Sequence, residues 1–105
     1  MEIKFDKEYL SELYYNGRCS DKKHRYQPDI VKRYQRCIDL MENVSKIESL
    51  YQYYSLHYEM LKGEKSGLSS IRVNKQYRIE FTITKVEAET LVTICNILEL
   101  SNHYK

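Results

Sequence analysis

The chain has 105 residues, of which 42% are hydrophobic and 30% charged, with a formal net charge of +2. This balance is that of a globular chain rather than a disordered one, and it suffices for one modest core in a single domain over residues 1–105 without metal or disulfide support. A charge of +2 is too small by itself to argue for a polyanionic partner, and no stretch approaches the roughly 18 apolar residues of a membrane span.

The opening segment MEIKFDKEYL lacks the apolar run of an export signal. Within it, Ile3 and Phe5 alternate with polar neighbours, which predicts a short strand. Asp6 is placed to cap a first helix carrying Leu10, Leu13 and Tyr14, and Gly17 is placed to end it. The polar, basic run RCSDKKHRYQ follows as a loop. Pro28 suits the first turn of a second helix, where its missing N–H is not needed. Val31, Tyr34, Ile38 and Met41 then form the strongest helical stripe in the chain. Ser45-Lys46-Ile47-Glu48 matches a capping box and predicts a short third helix through Leu50 and Tyr51.

The period then changes. Ile71 and Val73 face one way with Ser70 and Arg72 on the other, and Tyr77, Ile79, Phe81 and Ile83 alternate with Arg78, Glu80, Thr82 and Thr84. Asn74-Lys75-Gln76 reads as a hairpin connection, and Lys85 to Glu89 as a further turn. Thr90 to Leu98 is apolar on both faces, as expected of a strand between two layers. Two to three N-terminal helices followed by a meander predict an α+β domain with the helices on one face of a small antiparallel sheet.

Cys19, Cys37 and Cys95 are odd in number and far apart, so neither a disulfide framework nor a zinc site is expected. A reducing, cytoplasmic compartment fits this usage, with Cys37 and Cys95 as core fillers. The eleven tyrosines suit half-buried packing more than base stacking.

Charge is more informative locally than in sum. Seven Lys/Arg lie between Gly17 and Arg36 against Asp21 and Asp29, and Lys62, Lys65, Arg72, Lys75 and Arg78 face Glu64 alone between Leu61 and Arg78. A three-residue hairpin loop sets Arg72 directly opposite Arg78, where like charges cost stability unless an anion lies between them. His24, His57 and His103 are not at metal-ligand spacing. A solvated basic face and structural histidines would explain these features as simply as a binding site for an anion.

The stretch from Leu56 to Phe81 adds specificity. Its Leu56-His57, Leu61-Lys62-Gly63, Gly67, Ser70-Ile71-Arg72-Val73-Asn74 and Tyr77-Arg78-Ile79 with Phe81 resemble, in order and spacing, the pattern of the HigB-type toxins of the RelE/ParE superfamily. One residue is inserted between the histidine and the Leu-Lys-Gly. The resemblance implies a RelE-like fold and a type II toxin–antitoxin toxin that cleaves mRNA on the translating ribosome without a metal. It also implies a cognate helix-turn-helix antitoxin, HigA-like, whose complex with the toxin binds operator DNA. His57, Lys62, Arg78 and His103 fall on the family's functional positions, and Arg72, Lys65, Lys75 and Tyr104 are the expected RNA or phosphate contacts. Ser101 and Asn102 stand where well-studied members carry Asp and Tyr before the terminal histidine. A non-catalytic ParE-like gyrase inhibitor and a plain RNA-binding module are the alternatives.

Overall fold

The computed structural model describes residues 1–87 and 89–102. Strand β1 (Glu2–Phe5) is followed by helices α1 (Glu8–Asn16) and α2 (Pro28–Asn43), then by β2 (Glu59–Met60), β3 (Ser69–Arg72), β4 (Arg78–Glu87) and β5 (Leu91–Ser101). Short 3₁₀ turns fill Lys22–His24, Ile47–Gln52, Tyr54–Leu56 and Gly63–Lys65. The strands form one sheet in the order β1-β5-β4-β3-β2.

The local signals hold where they are backed by burial. Gly17 ends α1 in the left-handed region at φ 74°, its N–H donating to the Leu13 carbonyl. Pro28 opens α2, and Val31, Tyr34, Ile38 and Met41 are all buried. They meet Leu10 and Leu13 of α1 on one side and Ile71, Ile79, Phe81, Cys95 and Ile97 of the sheet on the other, forming one core. The hydroxyl of the fully buried Tyr34 donates to the Leu10 carbonyl at 2.7 Å, satisfying the one polar atom its ring brings inside.

Five expectations are corrected. Asp6 does not cap α1: Lys7 takes that position, and the Asp6 amide donates to the Ile97 carbonyl, so sheet pairing claims it. The Ser45 capping box does not form, and 3₁₀ turns replace a third α-helix. The apolar run there is short, with Ile47 and Leu50 buried but Tyr51 turned to solvent. Lys85 to Glu87 belong to β4, because Lys85, Val86 and Glu87 pair with Thr93, Val92 and Leu91, and ladder bonding outweighs polar composition. Strand β5 runs to Ser101 and is not buried on both faces: Thr93, Cys95 and Ile97 are inside, whereas Val92, Ile94 and Leu98 are half-buried. The helices cover only one face. The sheet is also mixed, since β1 runs parallel to β5.

The predicted hairpin register is observed, with Arg72 paired to Arg78 and Ser70 to Glu80. A shift in the β4–β5 ladder at Glu80/Phe81 places Phe81 opposite Ile97 while Ile79 stays opposite Leu100, keeping all four apolar side chains in the core.

Ile38→Ala removes a fully buried side chain at the helix–sheet junction and is expected to cost about 2–5 kcal/mol in urea unfolding, against within about 0.5 for the exposed Lys32→Ala. Equal effects would contradict the packing described.

Candidate functional site

The site begins with a backbone conformation. After the turn Tyr54–Leu56 the buried Leu56 anchors the chain, and His57 follows in the left-handed region at φ 45° and ψ 50°. Among the described residues it is the only non-glycine with positive φ. Histidine tolerates this region better than most residues, at a cost of order 1 kcal/mol. The turn exposes the imidazole and aims the His57 carbonyl back toward the sheet.

Both hairpin arginines converge on this residue. The buried Arg78 donates from Nε to the Ser70 hydroxyl at 2.9 Å and from Nη2 to the His57 carbonyl at 2.5 Å, with the Glu59 carboxylate 3.8 Å away. Arg72 donates from Nε to the Asn74 carbonyl at 3.1 Å and lies with Nη1 3.3 Å from His57 Nε2. A guanidinium has no acceptor, so any hydrogen bond in this contact runs from Arg72 to Nε2. The two like charges are therefore separated by what they hold: one grips the backbone of His57 and the other faces its ring.

In front of the ring lies an open cleft of about 760 Å³. One wall is α2, through Asp29, Arg33, Arg36, Cys37 and Leu40; the other is Ser55, His57, Arg72 and Lys75. Strand β2 pairs only with Ser69 and Ser70, which leaves the edge at Arg72 uncovered by strand. Burial pushes the Cys37 thiol up to about 11, despite the opposing charge of Arg33, so at neutral pH it is an uncharged wall group and not a nucleophile. Among the described residues no cluster of His, Cys, Asp and Glu could hold a metal ion.

The expected residues divide accordingly. His57, Arg72 and Lys75 line the cleft. Arg78 lies beneath His57 rather than in the lining. Lys62 is exposed outside the lining, and the Lys65 ammonium sits 2.5 Å from the buried Glu80 carboxylate. His103 and Tyr104 fall outside the described residues; Ser101, which pairs with Arg78, is described and buried. Arg33 and Arg36 were not singled out from sequence. The signal was a second stripe on α2, positions 33, 36, 37 and 40, flanking the core stripe at helical spacing.

Comparison with known proteins agrees with this architecture. The model of a HigB-like toxin family, described as the RelE-like toxin of type II toxin–antitoxin system HigB, matches residues 3–95. That span includes His57, Lys62, Arg72 and Arg78 and stops short of His103. Among solved structures, a YoeB/ParE toxin from Agrobacterium tumefaciens is similar with a TM-score of 0.56 at 15% identity, over 99% of this chain and 100% of the other. At that identity the likeness is one of fold. No curated protein matches.

The contrast between the arginines is measurable. Arg78→Met leaves a half-buried carbonyl and a buried hydroxyl without their charged donor and is expected to cost about 2–3 kcal/mol of stability, whereas Arg72→Met costs less than about 1. Equal losses in chemical unfolding would overturn the buried role of Arg78.

Proposed function

This chain belongs to the HigB-like family of RelE-like toxins of type II toxin–antitoxin systems, and we propose that it acts as an endoribonuclease cutting mRNA on the translating ribosome. One contact carries the reading: the ring of His57, exposed at a basic cleft, with Nε2 3.3 Å from the Arg72 guanidinium.

RNA carries its own nucleophile. A base removes the ribose 2′-OH proton, the 2′-oxygen bonds to the adjacent phosphorus, the bond to the 5′-oxygen breaks, and an acid protonates the leaving oxygen. The products are a 2′,3′-cyclic phosphate and a 5′-hydroxyl. In this reading the His57 imidazole is the base, because its exposed ring lines the cleft beside Arg72. Arg72 then faces the non-bridging phosphate oxygens, where its planar donors match the charge that develops in the transition state. Arg78, expected from sequence at the phosphate itself, acts by holding the His57 carbonyl. His103 is assigned the acid role; strand β5 ends beside Arg78, two residues before it. Lys75 and Lys62 contribute positive charge along the strand, and Tyr104 stacks on a base.

Membership in a type II system implies an antitoxin partner. We infer that it is a HigA-like helix-turn-helix protein through which operator DNA is bound. No helix of the described residues is long and apolar enough to cross a membrane.

His57→Ala is expected to reduce cleavage on translating ribosomes about 10²–10⁴-fold, and Arg72→Gln about 10²–10³-fold, read by 5′-end mapping of transcripts after induction. Undiminished cleavage in both variants would reject the assignment. Intact transcripts together with accumulating gyrase–DNA cleavage complexes would favour the ParE-like alternative.

A further inference from the structure

Cations in this fold are treated in two ways. Away from the cleft several have carboxylate partners: Lys65 with Glu80, Arg78 with Glu59, and Lys85 with Glu48. Arg33, Arg36, Arg72 and Lys75, which line the cleft, have no carboxylate within ion-pair distance among the described residues, and Asp29 is the one acid in the lining. Arg33 and Arg36 stand three residues apart on α2, both exposed, on the wall facing His57 and Arg72. A helix places such side chains about one turn apart on one face. Unpaired like charges held on two facing walls repel one another, and that repulsion is relieved when a polyanion lies between them.

We propose that Arg33 and Arg36 are substrate-binding residues that hold two phosphates of the RNA strand flanking the scissile one, so that α2 forms the second wall of the RNA track. This rests on the RNA reading of the same cleft and extends it to a helix with no assigned role. Size favours single strand over duplex: about 760 Å³ is the volume of a cleft for a small ligand, enough for a short run of nucleotides. Duplex RNA would instead be read across a wide groove over many base pairs. Asp29, one turn before Arg33, repels phosphate and marks where the strand leaves the wall.

The test uses the full chain carrying His57→Ala, so that bound RNA stays intact. Affinity for a short fluorescent single-stranded RNA is measured over a range of KCl concentrations, with and without Arg33→Gln plus Arg36→Gln. Loss of two phosphate contacts is expected to flatten the slope of log K against log salt by about 1.4. Arg33→Lys plus Arg36→Lys is expected to restore it. On ribosomes, with His57 intact, the double Gln variant is expected to raise KM several-fold while kcat stays within about twofold, since a contact made equally in ground and transition states affects binding alone.

An unchanged salt slope, an absence of RNA binding at low salt, or a fall in kcat at constant KM would each overturn the proposal. So would weakened antitoxin binding with an unchanged RNA slope, which would assign the wall to an acidic protein partner. The parent reading fails separately, if the His57→Ala and Arg72→Gln chains cleave mRNA undiminished.

Discussion

The hydrogen bond from the buried Arg78 guanidinium to the His57 carbonyl is the contact on which the site depends. A charged side chain is costly to bury unless its donors are used, and here the Ser70 hydroxyl, the His57 carbonyl and the nearby Glu59 carboxylate meet it. In return the carbonyl holds His57 in a left-handed conformation that an L-residue adopts only under constraint. The imidazole is thereby presented outward, in reach of Arg72. A rigid sheet thus fixes the placement of an exposed imidazole that sits formally in a loop.

The same economy shapes the cleft. Its α2 wall includes Cys37, whose burial raises the thiol well out of the neutral range, and its walls carry arginines and a lysine without carboxylate partners among the described residues. Positive charge is therefore concentrated in one concave place, while the formal charge of the whole chain is only +2. Focusing of this kind depends on where charges lie, not on their sum.

Much of the fold was legible because its signals are local. The Pro28 start, the Gly17 stop, the core stripe of α2 and the Asn74-Lys75-Gln76 hairpin follow from backbone and periodicity rules, and the hairpin register set Arg72 opposite Arg78. The misreadings arose where pairing between distant segments overrides local preference. Asp6 is drawn into the sheet by Ile97, polar Lys85 to Glu87 are held in a strand by β5, and the parallel pairing of β1 with β5 has no short-range signature.

By itself the sequence determined the α+β class, the residues of the core, the hairpin and, through the Leu56–Phe81 pattern, the toxin family that the family match bears out. Periodicity and motif spacing are properties of the chain alone, so they can be read from it. Tertiary structure decided the placement of the charged side chains. It buried Arg78 under His57, left Arg72 at the ring, engaged Lys65 with Glu80, and brought Arg33 and Arg36 to the facing wall. The first three depend on how the 3₁₀ turns and the hairpin fold onto one another, the last on where the packed core sets α2 against the cleft, and neither is a property of local sequence.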